Sequence, residues 1–201
     1  MSKATTLAKA LQNWEAEHPG ESFVDAVEIK LCFQFPPIER LETTVLTQLS
    51  KCERLSISSN AIDKLVNFPP MKTLTRLSLG RNMIKRLTGL EEIAGNLREL
   101  WLSYNMIEKL EGLSGCLKLN TFFISNNRIK AWEELDKIKE LPELENVVFT
   151  GNPFYGSLGD EAKYYVLKKL PNAKNIDGII VTGAHTSRAE KLPDAFPAPV
   201  K

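Results

Sequence analysis

The sequence is poor in the residues and motifs from which active sites are most often built. It has two histidines and three cysteines, and no two cysteines have the C-x-x-C spacing of a zinc or redox site. It contains no G-x-x-x-x-G-K-[ST] phosphate loop, no G-x-G-x-x-G dinucleotide motif and no G-x-S-x-G nucleophile elbow. These absences predict a protein that is not an enzyme and that uses no cofactor and no metal.

An excess of one charge and long apolar runs are also missing. The chain has 26 basic and 25 acidic residues, a net charge of +1, which gives no support for attraction to nucleic acid or to a membrane. No apolar run approaches the roughly 18 residues of a membrane span, and the N-terminal residues MSKATTLAKAL lack a signal-peptide core. The odd number of cysteines favours a reducing compartment, and we expect the cytoplasm or a cilium.

Asparagine recurs at a nearly fixed interval along the chain. The gaps between successive asparagines are 22, 23, 22 and 25 residues, and each asparagine lies in the frame L-x-x-L-x-L-x-x-N-x-I. This is the pattern of a leucine-rich repeat, and a period of this length is typical of a solenoid. The five asparagines of the frame are Asn60, Asn82, Asn105, Asn127 and Asn152.

The frame predicts an α/β solenoid of about six turns. The alternating L-x-L segments would form a parallel concave sheet, helices would lie on the convex side, and helical caps would cover both ends. Each asparagine would end a strand and satisfy backbone groups inside the coil, so that the five form a ladder. In the first turn, Leu31, Phe33, Ile38 and Leu41 fill the apolar positions and Pro36 replaces asparagine.

The predicted boundaries follow from the same pattern. We expect an N-terminal helical cap over 1–24, repeats over 25–155, a C-terminal cap over 156–182 and a disordered tail over 183–201, which is rich in Gly, Ser, Ala and Pro. The wide gap after Asn127 suggests a longer helix on the convex side of that turn.

Three columns of side chains should point out from the sheet. The central column is predicted as Cys32, Ser56, Ser78, Trp101, Phe123 and Val148. The column before it begins with Lys30, Arg54 and Arg76, and the column after the strand begins with Phe35, Ser59, Arg81 and Tyr104. Exposed aromatic patches and arginines are typical of interaction sites, so we predict partner binding by Trp101, Tyr104, Phe123, Val148, Arg81, Arg76 and Arg54.

Several stretches of the chain resemble the axonemal outer-arm dynein light chain 1 family. The most specific are LSLGRNMIK (Leu77 to Lys85) and LRELWLSYNMIEKLEGL (Leu97 to Leu113). The others are KATT, EIKL, FPPIE, SNNRIKAWEEL, GNPF and LPNAKNIDG, and the resemblance runs from about Lys3 to Thr182. In this family the sheet-face aromatics correspond to Trp101, Tyr104 and Phe123, and Arg81 lies in the matching LGRN.

The resemblance implies a non-catalytic light chain in the axoneme of a cilium or flagellum. Its partner would be a dynein heavy chain, bound at the microtubule-binding stalk tip through the sheet face, and the light chain would regulate motor activity. Tubulin is a further expected neighbour. Two alternatives share the short repeat: a spliceosomal A-prime-like adaptor and a regulatory subunit of a Ser/Thr phosphatase.

Overall fold

The computed structural model describes residues 3–156 and 158–197, and in them eight short strands form one sheet in chain order. Strands β1 to β7 run parallel, each paired with the next, and β8 returns antiparallel to β7. The predicted parallel solenoid is therefore confirmed. The strands are β1 Glu28–Lys30, β2 Arg54–Ser56, β3 Arg76–Ser78, β4 Glu99–Trp101, β5 Thr121–Phe123, β6 Asn146–Val148, β7 Asn175–Ile176 and β8 Ile179–Ile180.

In each strand of the repeats the middle residue is buried in the core, because neighbouring side chains on a strand point to opposite faces. In β3 the outward-facing Ser78 is buried as well. The buried residues stack in one column through the core, and the flanking residues remain on the concave face. The column consists of Ile29, Leu55, Leu77, Leu100, Phe122 and Val147. The core thus runs continuously along the coil, and each turn is packed between its two neighbours.

The five asparagines link each turn to the one before it. Asn105 is typical: its Nδ2 donates to the carbonyls of Leu79 and Leu102, both at 3.0 Å, and its Oδ1 accepts from Ile84 N at 2.9 Å. Leu79 and Ile84 belong to the preceding turn and Leu102 to the same turn. The same bonding pattern recurs at Asn60, Asn82, Asn127 and Asn152. These side chains satisfy backbone groups that would otherwise be buried without partners.

The convex connections contain short helices. Two α-helices of one turn, α2 Thr43–Leu46 and α3 Glu91–Ala94, lie in the first and third connections. The wide gap after Asn127 holds a 3-10 helix, Trp132–Lys137, whose Trp132 and Leu135 are buried. The extra residues of this turn therefore form a short 3-10 helix and not the longer helix suggested by the sequence.

Helices close both ends of the core. At the N-terminus, α1 Leu7–Glu17 is capped by Thr6, whose hydroxyl accepts from Lys9 N at 3.1 Å, and it buries an apolar face formed by Leu7, Ala10, Leu11 and Trp14. After β6 the chain passes through two 3-10 helices, Pro153–Tyr155 and Gly159–Glu161, into α4 Ala162–Lys169. The β7–β8 hairpin follows and covers the last rung of the sheet.

The prediction of a disordered tail is wrong for the described residues 183–197. Helix α5, Gly183–Glu190, begins where Thr182 N donates to His185 Nδ1 at 3.0 Å, and it buries Ala189. Phe196 then packs against Trp132, with ring centroids 5.5 Å apart. Tertiary contacts thus order a segment whose composition suggested disorder. Residues 1, 2, 157 and 198–201 of the predicted caps and tail lie outside the described part of the chain.

Candidate partner-binding face

The register of the sheet decides which side chains become neighbours on the concave face. Trp101 on β4 is paired with Ser78 on β3 and with Phe123 on β5, and Phe123 is paired with Val148 on β6. Side chains at paired positions of adjacent strands lie on the same face, about 4.8 Å apart. The central column of the face is therefore Lys30, Ser56, Ser78, Trp101, Phe123 and Val148.

In the first turn, the outward-facing residues were predicted two positions too late in the sequence. Lys30 is paired with Ser56, so Lys30 and not Cys32 begins the central column, and Glu28 stands beside Arg54 where Lys30 was expected. The column after the strand begins with Phe33 instead of Phe35. Phe33 was assigned to the core, but 78% of its surface is exposed, because Ile29 and Leu31 fill the buried positions of this turn.

The centre of the face is an aromatic stack. Trp101 and Phe123 lie with ring centroids 5.6 Å apart and their planes inclined by 22°. Val148 continues the row, and all three side chains are half-buried. They line a cavity of about 400 Å³ whose other walls are formed by Glu99, Thr121, Asn146, Asn175 and Gly178. The predicted aromatic residues are thus brought together on one side of the sheet.

Arg76 lies on the other side of Trp101. Its Cζ is 5.2 Å from the centroid of the indole ring, and its Nη2 donates to Glu99 at 2.7 Å. The hydrogen bond to Glu99 raises the pKa of Arg76 above its ordinary value. Two donors in this arrangement, Arg76 Nε and Trp101 Nε1, are buried and have no acceptor among the described residues. Unsatisfied buried donors are uncommon in folded proteins.

Three of the four cations predicted on this face, Lys30, Arg54 and Arg76, are paired with carboxylates of the chain. Arg54 lies 3.6 Å from Glu28 and 3.7 Å from Glu53, and Lys30 lies 3.2 Å from Glu28. The hydrogen bond from Lys30, together with the charges of Lys30 and Arg54, lowers the pKa of Glu28. Glu28 was not predicted beside Arg54, because the register predicted for the first turn was shifted by two residues.

The rim of the face carries Tyr104, the third of the predicted aromatic residues. Tyr104 is 49% exposed, and Arg81 stacks on it with Cζ 4.4 Å from the ring centroid. Both residues have positive φ angles, 60° and 54°, because the chain makes the same sharp bend after each strand. Phe33, Ser59 and Asn126 occupy this rim position in other turns, with φ between 53° and 57°.

The described residues offer little catalytic chemistry. Cys52 and Cys116 are buried, and burial raises the pKa of each thiol to about 11. His18 stacks on Trp14, and His185 caps α5. In residues 3–156 and 158–197 no group of three or more His, Cys, Asp or Glu side chains is arranged to hold a metal ion. The same part of the chain contains no helix with the length and apolar character needed to cross a membrane.

The parallel strands and the asparagine ladder define a leucine-rich-repeat protein. A family model described as "Leucine Rich repeats (2 copies)" matches residues 95–137. The chain belongs to the axonemal dynein light chain 1 family. It is 46% identical over 180 residues to dynein axonemal light chain 1 of Danio rerio, covering 89% of this chain and 93% of that protein. It is 47% identical over 180 residues to the Rattus norvegicus protein, covering 89% and 94%.

These relatives confirm the family inferred from the sequence motifs, and the family name confirms the predicted place in the axoneme of cilia and flagella. One solved structure matches almost the whole chain: the Drosophila melanogaster SNF/U2A' complex, with a TM-score of 0.54 and 18% identity, covering 93% of this chain and 91% of that one. At this identity the match shows the fold alone.

Proposed function

We propose that this protein is a non-catalytic light chain whose concave face binds a dynein heavy chain at the microtubule-binding stalk tip. The observation that carries the proposal is the row of Trp101, Phe123 and Val148 on adjacent strands, with Tyr104 on the neighbouring rim. Clustered, partly exposed aromatic side chains are the usual anchors of a protein interface. The family membership supports dynein as the partner.

The proposed interface has moderate affinity. A fully buried aromatic side chain contributes about 150–250 Å² of apolar surface, but Trp101 and Phe123 already cover part of each other. At about 25 cal/mol per Å², the four apolar side chains yield on the order of 10 kcal/mol gross. Association itself costs an estimated 4–15 kcal/mol.

The cations of the face orient the partner more than they attract it. Arg54 and Arg76 are paired with Glu28 and Glu99, which reduces their long-range field. Arg81 has no carboxylate partner among the described residues and stacks on Tyr104, so it is the cation available to an acidic group of the heavy chain.

We also propose that tubulin lies beside the light chain when the motor is attached.

The proposed mechanism is a shift between attachment states of the motor. A light chain that binds one conformation of the stalk tip more tightly than the other moves the equilibrium toward that conformation by its difference in binding free energy. The buried thiols, the engaged histidines and the lack of a metal-binding cluster in the described residues support a role without catalysis.

The test is a titration of recombinant heavy-chain stalk fragment onto the light chain. Trp101→Ala combined with Phe123→Ala should weaken binding by at least about tenfold, with little change in melting temperature, because both side chains lie on the surface of the sheet. Leu117→Ala serves as the matched control: Leu117 is 56% exposed and lies in the connection between β4 and β5, away from the sheet face. Unchanged affinity in the double variant rejects the aromatic face as the binding site.

A second experiment addresses the identity of the partner. Co-precipitation of the protein from isolated cilia, followed by mass spectrometry, should recover an outer-arm dynein heavy chain. Recovery of a phosphatase catalytic subunit or an RNA-binding protein instead would contradict the proposal.

A further inference from the structure

Cations follow one another on successive turns of the outer side of the coil. Just after the asparagine of each turn, a backbone N–H donates to the isoleucine carbonyl of the preceding turn. Examples are Met83 N to Ile62 O at 2.8 Å and Met106 N to Ile84 O at 2.9 Å. These bonds align the isoleucines of the frame. The residues two positions beyond the aligned isoleucines are therefore also stacked, and in the first four turns all of them are basic: Arg40, Lys64, Arg86 and Lys109.

The charges of this column are not balanced within the chain. All four side chains are exposed, and among the described residues Arg40, Lys64 and Arg86 form no ion pair. Lys109 reaches Glu111 only at 3.8 Å. Like charges on adjacent strands or turns repel each other, so an isolated solenoid gains nothing from this arrangement. An anionic partner that runs across the turns would relieve the repulsion.

The column borders a groove that crosses the turns. Two cavities of about 580 and 600 Å³ lie side by side and share Thr88 in their walls. Six cations line them, namely Arg40 and Lys64 in the first and Lys85, Arg86, Lys109 and Arg128 in the second. Among the described residues, only three carboxylates line the same two cavities, those of Asp63, Glu108 and Glu111. The groove thus carries a surplus of positive charge in a chain whose net charge is only +1.

Two cations of the column add to the lowering of the pKa of Glu111, whose largest cause is the hydrogen bond from Lys137. The pKa of Glu111 is lowered by the hydrogen bond from Lys137, by the charge of Lys137 and by the charges of Lys109 and Arg86. Lys109 and Arg86 belong to the basic column. A carboxylate placed at this edge of the groove is therefore stabilised in its charged form.

We propose that this groove binds an extended, carboxylate-rich segment of a partner protein. The column places one cation on each of four turns. This spacing fits a chain of separate carboxylates better than a single compact phosphate group. No aromatic side chain lines either cavity among the described residues, so the stacking platforms that single-stranded nucleic acids use are missing. The groove lies outside the concave sheet, and the proposal stands independently of heavy-chain binding by Trp101 and Phe123.

Fluorescence anisotropy with a labelled oligoglutamate peptide of about ten residues tests the proposal, since an extended peptide of that length spans about 33 Å. We expect binding at low ionic strength that weakens as salt screens the charges. Lys64→Glu combined with Arg86→Glu should reduce the affinity by at least about tenfold. The matched control is Lys72→Glu combined with Lys118→Glu, which changes the net charge equally at two exposed lysines outside the groove. This control should lose no more than about twofold.

Several outcomes overturn the proposal. They are an equal loss in the two charge-reversal variants, equal binding of an oligoglutamine peptide, tighter binding of an oligothymidylate, or no peptide binding at low ionic strength. If the reversed variant is shown by circular dichroism not to fold, Lys64→Gln with Arg86→Gln replaces it, with a smaller loss expected in the same direction. Trp101→Ala with Phe123→Ala should leave peptide affinity unchanged, which separates this site from the heavy-chain face.

Discussion

Trp101 and Phe123 stack across two neighbouring strands, with ring centroids 5.6 Å apart and ring planes inclined by 22°. Arg76 covers the opposite side of the indole ring and is held there by Glu99. Side chains from three consecutive turns therefore form one unit on the concave face. The geometry of the proposed binding site depends on the sheet register as much as on the aromatic residues themselves.

The cation–π contact within this unit should be measurable as a coupling energy. In a double-mutant cycle of Arg76→Leu and Trp101→Leu, we expect a coupling of about 0.5–1 kcal/mol in the free energy of unfolding, measured by urea titration. The control cycle uses Arg54→Leu with Trp101→Leu. Arg54 lies two strands from Trp101, so its coupling should stay within about 0.3–0.5 kcal/mol of zero. Equal coupling in both cycles would show that the Arg76 contact contributes nothing specific.

The asparagine ladder should contribute strongly to stability. Asn105→Ala removes the hydrogen bonds to Leu79 O, Leu102 O and Ile84 N and leaves these groups buried. We expect a loss of about 1–3 kcal/mol in the free energy of unfolding. Asn67→Ala is the control, because its side chain is exposed and makes no hydrogen bond among the described residues; its effect should be within about 0.5 kcal/mol. A melting curve of Asn105→Ala identical to the parent would refute the structural role.

The C-terminal segment should stabilise the last turn. Phe196 lies 5.5 Å from Trp132 and 5.8 Å from Tyr165 between ring centroids, and the ammonium group of Lys169 lies 4.6 Å from the centroid of Phe196. We expect Phe196→Ala to lower the free energy of unfolding by about 1–3 kcal/mol, as measured in urea. The exposed residue Leu117 gives the comparison, and Leu117→Ala should change stability by less than about 0.5 kcal/mol. A neutral result at Phe196 would mean that the segment is not docked in solution.

The three cysteines should differ in reactivity. Cys52 and Cys116 are buried, whereas Cys32 is half-buried with its sulfur 3.2 Å from Ser56 Oγ. At neutral pH, dithionitrobenzoate should titrate one thiol rapidly in the folded protein and all three after unfolding. Cys32→Ser should abolish the rapid phase. Rapid reaction of a second thiol in the folded protein would contradict the burial of Cys52 and Cys116.

Because of the buried thiols of Cys52 and Cys116, we expect the stability of the folded protein to fall at alkaline pH. Burial raises their pKa from 9.0 to about 11, so the unfolded state loses these protons first as the pH rises. Their contribution to stability is complete below pH 9 and is lost as the pH rises toward 11. Thermal melting across this range should show a shallower decline for Cys52→Ala than for the parent. Parallel declines would indicate that Cys52 does not titrate on unfolding.

The asparagine frame predicted β2 to β6 and their outward side chains, because the last residue of each of these strands lies four positions before its asparagine. The first turn differs: seven positions separate Leu31 from Ile38, against five between Ile57 and Ile62. These two additional residues shifted the predicted register, and Phe33 was assigned to the core although it is exposed. A frame without its asparagine gives no signal that distinguishes an insertion from a substitution.

The tail and the charge pairing depended on contacts that composition does not reveal. Helix α5 is held by its cap at Thr182 and by Arg188, which donates to Glu161 at 2.6 Å across the last turn. Glu28, the partner of Arg54, was likewise missed, because the predicted register of the first turn placed Lys30 beside Arg54. The sequence was therefore informative about the repeated features and uninformative about the ends of the array.

At the left-handed bend after each strand, the backbone conformation is the same in successive turns although the side chains differ. Phe33, Ser59, Arg81, Tyr104 and Asn126 occupy equivalent positions with φ between 53° and 60°, although their side chains share no size, charge or polarity. Residues other than glycine rarely adopt this conformation, so the repeated backbone hydrogen bonds between turns, and not the side chains, determine the bend. The same backbone path therefore displays a different side chain in each turn, so a single substitution can change the surface chemistry of the rim without rebuilding the scaffold.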